Sequence, residues 1–128
     1  MNEAKKKILL VDDEPDILSM LKMRLEASGY EVITAADGNT AYNKAKSDLP
    51  DLIILDLMLP GIDGYQVCRL LKFDEKYRHI PIVMLTAKGQ REDKEWGEKV
   101  GADYYFTKPF NAVEVLDKIK ELLERKNG

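Results

Sequence analysis

A chain of 128 residues with 45% apolar content has the material for one domain and a single core. Lys and Arg number 20 against 23 Asp and Glu, a net charge of -3, so there is no basic footprint for nucleic acid and no strongly charged tail. One cysteine, Cys68, excludes an intrachain disulfide and points to a reducing compartment. The N-terminus lacks the apolar stretch of a signal peptide and no run is long enough to span a bilayer. A soluble, cytoplasmic protein is therefore expected, with no membrane or nucleic-acid contact of its own.

In chain order, Lys5-Lys6-Lys7 reads as a solvated chain end ahead of the first apolar run, residues 8–11. Ile17, Leu18, Leu21 and Leu25 then repeat at helical steps and stop at Gly29, a C-terminal cap. A weaker, alternating strand follows at 31–34, and then a helix over 39–47 with Ala41 and Ala45 on one face. The run 52–55 leads into a helix over 65–73 carrying Val67, Leu70 and Leu71, with Cys68 as a packed small hydrophobe. The run 82–85 is followed by a mostly charged helical stretch, 89–100, and the run 104–107 by a last helix. Asn111 caps that helix, with Glu114 three residues on, and Val115, Leu116, Ile119, Leu122 and Leu123 face the core. Most of the runs are continuous rather than alternating, as in strands buried on both faces. Strand and helix alternate five times, so the fold class is α/β with a parallel sheet between helices.

In such sheets ligands bind outside the carboxyl ends of the strands. Asp12-Asp13-Glu14 follows the first run, Asp56 the third, Thr86 the fourth, and Thr107-Lys108-Pro109 ends the fifth. Taken singly, an Asp after a strand is commonly a turn residue or helix cap. Together these ends place three carboxylates, a hydroxyl and an ammonium on one edge. Crowded carboxylates raise one another's pKa and call for positive charge, which Lys108 and a hard divalent cation such as Mg²⁺ supply. Such a site suits a phosphoryl group, and a carboxylate can itself be the nucleophile that accepts it, a role that falls to Asp56.

The motifs ILLVDDEPD (8–16), LIILDLMLPGIDG (52–64), IVMLTA (82–87) and GADYYFTKPF (101–110) together resemble the receiver domain of two-component response regulators, over residues 7–123. The resemblance implies a flavodoxin-like (βα)5 doubly wound parallel sheet of strand order 2-1-3-4-5, with residues 1–128 as one receiver domain. It implies that Asp56 is the phosphorylated residue. It implies that Asp12, Asp13 and Asp56, with the main-chain carbonyl of Met58, hold Mg²⁺. Thr86 matches the switch hydroxyl, Lys108 the lysine that pairs with the phosphoryl group, and Tyr105 the aromatic switch. The Lys108–Pro109 bond is expected to be cis. The implied donor is a sensor histidine kinase or a phosphotransfer protein. The implied output face is made by the fourth helix, last strand and last helix, and it meets an output protein or effector domain. The protein is expected to be a monomer or a phosphorylation-dependent dimer. It is expected not to be a conventional enzyme, catalysing only its own phosphorylation and dephosphorylation. Met58 and Lys88 match positions that tune the lifetime of the phosphorylated form.

Some residues depart from that pattern. Receivers joined to winged-helix DNA-binding domains often carry GADDYL before Lys-Pro. Here Tyr104 replaces the second Asp, and Asp117-Lys118 stands where their last helix often has Arg, which removes charges that pair subunits in their dimer. A stand-alone receiver and a piece of a longer regulator fit the residues equally. His79 has no Cys or His companion for a metal, Trp96 lies on the charged helical stretch as a half-packed residue, and Met20 and Met23 read as packing and surface. Two rivals share parts of this chemistry. A haloacid-dehalogenase-type phosphotransferase needs a second Asp two residues past the nucleophile, where Met58 stands. A flavin- or nucleotide-binding module needs a Gly- or Ser/Thr-rich loop after the first strand, where three acids stand.

Overall fold

The computed structural model describes residues 5–87 and 101–127. Five strands, β1 (Lys7–Val11), β2 (Glu31–Ala35), β3 (Leu52–Asp56), β4 (Ile82–Ala87) and β5 (Tyr104–Lys108), pair in parallel in the order 2-1-3-4-5. The helices are α1 (Pro15–Ala27), α2 (Gly38–Asp48), α3 (Gly64–Lys72) and a C-terminal helix, Ala112–Asn127. This is the flavodoxin-like doubly wound arrangement expected. The stretch 89–100, with Trp96 and Lys88 beside it, lies outside the described residues.

Strand periodicity sorts the core into two faces. Leu9, Val11, Ile53, Leu55, Ile82 and Met84 point toward α2 and α3, meeting Ala41, Ala45, Val67, Cys68 and Leu71. Ile8, Leu10, Leu52, Ile54, Val83 and Leu85 point the other way, onto Leu21 and Leu25 of α1 and Val115, Ile119, Leu122 and Leu123 of the C-terminal helix. β1 and β3 are buried along almost their whole length, whereas the edge strands β2 and β5 are only partly covered. At about 1.5–3 kcal/mol for each fully buried large aliphatic side chain, the central strands dominate the hydrophobic stabilisation.

Helix ends follow local chemistry. α1 closes in a Schellman motif, with Tyr30 N–H donating to Leu25 O and Gly29 N–H to Glu26 O. α2 begins at Gly38 rather than at Asn39, because Asp37 caps it by accepting from Thr40 N–H at 2.7 Å. Asn111 caps the last helix through Val113 N–H at 2.8 Å. Two expectations need correction. Leu70 is 45% exposed, because positions 67, 68 and 71 already fill the buried arc of α3. Lys7 is not part of a solvated end: it opens β1, and its N–H donates to Asp51 Oδ2 at 2.7 Å. Cys68 is fully buried, and burial pushes its thiol up to about 12. His79 and Met23 are exposed and Met20 is half-buried. Among the described residues no helix is long and apolar enough to cross a membrane.

Candidate functional site

Two aspartates at the ends of neighbouring parallel strands adopt the same local turn. Asp12 follows β1 and accepts Glu14 N–H on Oδ1 at 2.9 Å; Asp56 closes β3 and accepts Met58 N–H on Oδ1 at 3.3 Å. Each is a side chain to backbone bond two residues on, which turns the chain out of the sheet. Because β1 and β3 pair in register, the two carboxylates come side by side. Asp12 is fully buried and Asp56 is 4% exposed, while Asp13 lies at the surface beside them. One carboxylate oxygen from each of Asp12, Asp13 and Asp56 lies within 4.8 Å of the others. At that separation two full charges repel by on the order of 3 kcal/mol, with an effective dielectric near 20.

Lys108, at the end of β5, reaches across to this cluster. Its Nζ lies 3.0 Å from Glu14 Oε1, 3.1 Å from Asp12 Oδ2 and 3.4 Å from Asp56 Oδ2. The Asp12 contact is an ion pair without hydrogen-bond geometry, which leaves the buried Asp12 Oδ2 with no hydrogen-bond partner. Burial pushes the Asp56 carboxyl up to about 6, and the Asp12 charge adds to the rise; Lys108 and the Met58 N–H only partly oppose them. Burial works against the charged form of Lys108, but the Glu14 hydrogen bond and the charges of Asp56 and Asp12 outweigh it and raise its pKa.

Thr86 is 5% exposed and follows Leu85, the register partner of Asp56. It shares a sheet face with Met84, whose neighbour on β5 is Tyr105. Tyr105 is half-buried and packs onto the core that faces α2 and α3. The Met58 side chain is 70% exposed, so only its backbone turns inward. The Lys108–Pro109 peptide is cis. Asp12, Asp13, Asp56 and Lys108 are thus brought together, with Thr86 next to them. Glu14, the nearest carboxylate to Lys108, was not singled out from the sequence; its place in the acidic run after the first strand was the available signal. A surface hollow of about 780 Å³ lies away from this cluster, among Tyr42, Arg69, Leu70 and Phe73.

An all-oxygen donor set with excess negative charge and an orphaned buried oxygen fits a hard divalent cation. Residues 8–120 match the family model for the response regulator receiver domain. The chain belongs to that family. As a receiver of two-component regulators, it is 51% identical over 120 residues to the alkaline phosphatase synthesis transcriptional regulatory protein PhoP of Bacillus subtilis, covering 94% of this chain and 49% of that protein. The receiver spans about half the length of the curated relatives it matches. A putative response regulator from Chloroflexus aurantiacus superposes with a TM-score of 0.90 at 38% identity, covering 94% of this chain and 99% of the other. The receiver domain of the sensor histidine kinase PA1611 of Pseudomonas aeruginosa superposes with a TM-score of 0.87 at 33% identity, covering 94% and 99%; that structure holds a magnesium ion in its active-site cleft.

Proposed function

We propose that this receiver takes a phosphoryl group onto Asp56 from the phosphohistidine of a sensor histidine kinase or phosphotransfer protein. The observation that carries the reading is a buried carboxylate at a strand end, crowded by two more acids and faced by the Lys108 ammonium. The Asp56 oxygen attacks phosphorus while the N–P bond of the donor breaks and its electron pair leaves with the imidazole. The product is an acyl phosphate, and later attack by water returns the carboxylate and inorganic phosphate. Asp12, Asp13, Asp56 and the Met58 main-chain carbonyl would hold Mg²⁺. When bound, the ion supplies Lewis-acid stabilisation of charge on the phosphoryl oxygens. Lys108 adds a second positive charge there, and Thr86 offers a hydroxyl donor. On this reading the domain catalyses only its own modification and is not a conventional enzyme. The surface of β5 and the C-terminal helix passes the change to an output protein or effector domain.

Tyr104 shapes that surface. Its ring lies 5.0 Å from Phe106, and Lys118 Nζ sits 4.3 Å from its centroid while bonding Glu121 at 3.1 Å. Lys118 is thereby engaged within its own chain, which favours a monomer over a dimer built on charges at these positions. The test of the acceptor is incubation with acetyl phosphate and Mg²⁺ followed by intact mass measurement. The wild type gains one phosphoryl group; Asp56→Asn gains none, and neither does the wild type in chelator. Equal labelling of Asp56→Asn would overturn the assignment.

A further inference from the structure

The short connection between β2 and α2 touches both acid-bearing loops at once. Ala35, the last residue of β2, accepts the Asp12 N–H at 3.2 Å. Three residues later the Gly38 N–H donates to Pro60 O at 3.2 Å, in the middle of the loop that follows Asp56. Between them Asp37 is locked by its cap bonds to Thr40 N–H and Thr40 Oγ1, at 2.7 and 2.9 Å.

The ends of that loop, residues 57–63, have their own anchors. Leu57 N–H donates to Leu85 O at 3.0 Å, Gly64 N–H to Leu57 O at 2.9 Å, and Asp63 and Gln66 form a capping box. The middle rests on the start of α2. A Cβ on Gly38 would land on the Ile62 carbonyl oxygen and lie 2.7 Å from Ile62 Cγ1. Gly38 is buried, and its φ is outside the left-handed range, so the position demands space rather than an unusual backbone. Beside it, the Asn39 amide nitrogen is 3.2 Å from where a Gly61 Cβ would stand.

We propose that Gly38 is a positioning residue for the acid site. By letting the loop backbone sit directly on α2, it sets how far the Met58 backbone stands from Asp12 and Asp13. The same connection holds Asp12 through Ala35, so it acts as a spacer between the two halves of the cation site. This deepens the Mg²⁺ reading above and rests on it.

The test is Mg²⁺ titration by amide NMR, well below the melting temperature, on wild type, Gly38→Ala and Lys72→Met. Lys72 lies at the far edge of the sheet, so its variant is a control for lost stability alone. Gly38→Ala should weaken Mg²⁺ binding about 10- to 100-fold, the range for groups that orient ligands, and shift the Met58 and Ile62 amides already in metal-free protein. Lys72→Met should keep wild-type affinity. A folded Gly38→Ala with wild-type affinity and an unmoved Met58 amide overturns the proposal. If the wild type itself binds no Mg²⁺, the cation reading fails instead. Should Gly38→Ala not fold, Asn39→Ala carries the test: weakened binding supports the seat, and unchanged binding overturns it.

Discussion

Aspartates stand at both edges of the sheet, with opposite energetics. At the edge where the strands begin, Asp51 and Asp103 make one repeated arrangement. Asp51 N–H donates to Lys7 O at 2.7 Å while Asp51 Oδ2 accepts Lys7 N–H at 2.7 Å. Asp103 does the same with Ile82, at 2.8 Å both ways. Lys72 then joins Asp103 at 2.8 Å and also donates to Ile80 O at 2.7 Å. Each of these carboxylates is met by hydrogen-bond donors, and the charge of Asp103 is matched one to one. At the opposite edge Asp12 and Asp56 are more deeply buried, share one lysine with Glu14, and leave an oxygen of Asp12 without a hydrogen bond. The satisfied edge holds the sheet in register; the unsatisfied edge stores repulsion that a cation or a phosphoryl group can use.

The largest effect should come from breaking the satisfied edge. Lys72→Met takes the ammonium away from the Arg78 and Ile80 carbonyls and from Asp103, which keeps the Ile82 N–H bond. The side chain of Asp103 is 35% exposed and can take up water, so the loss should fall below that of a fully buried pair, at about 2–3 kcal/mol. Chemical denaturation reads it. A loss below about 0.5 kcal/mol would place this pair with ordinary surface ion pairs and erase the contrast.

The alternation of strand and helix and the four polar strand ends were legible in the sequence, because a parallel sheet demands continuous apolar runs and gathers their C-terminal ends, whereas the strand order was implied by the receiver motifs rather than by the runs. Less legible was what depends on partners distant in the chain. Nothing local marks Lys7 as paired to Asp51, or Gly38 as the seat of a loop more than twenty residues away. Leu70 looked like core because it has the right chemistry one position off the buried arc. The turn that aims Asp12 and Asp56 is local, but the balance of charge around them appears only once Lys108 is brought across β4.

At the unsatisfied edge, removing charge should stabilise. The Asp56 carboxyl titrates near 6 in the folded, metal-free protein, above its ordinary value. Between roughly pH 4 and 6 the folded state therefore holds a proton that the unfolded state has released. Stability from this group is greatest below that window and is lost as pH rises through it. Asp56→Asn should flatten that slope and, in chelator at pH 7, gain about 1–2 kcal/mol, because ionised neighbours relax part of the full shift. Melting temperature against pH for both proteins decides it; parallel curves would remove Asp56 as the source of strain.

Asp13 tests whether the cation answers the same repulsion. It is exposed, yet its oxygen stands within 4.8 Å of the other two. Asp13→Ala should lower Mg²⁺ affinity by about tenfold while leaving metal-free stability unchanged or slightly higher. Unchanged affinity in calorimetric titration would take Asp13 out of the cation's ligand set.

The smallest effect is a change of ring environment with little change in stability, and it asks whether the unsatisfied edge alone transmits. A phosphoryl group on Asp56 adds charge and acceptor oxygens beside Thr86. Thr86 lies on the sheet face of Met84, and Met84 is the register partner of Tyr105, so inward movement of the Thr86 hydroxyl opens room on the side where Tyr105 packs. Two packings separated by a few kcal/mol suffice, with phosphoryl contacts favouring one. Beryllofluoride, a stable mimic of the group, should shift the Tyr105 ring signals in the wild type and much less in Thr86→Ala. The amides of Asp51 and Asp103 should stay in place in both, since their bonds are already complete. Equal ring shifts in both proteins would uncouple Thr86 from the surface, and movement of the Asp103 amide would show that the two edges are not independent.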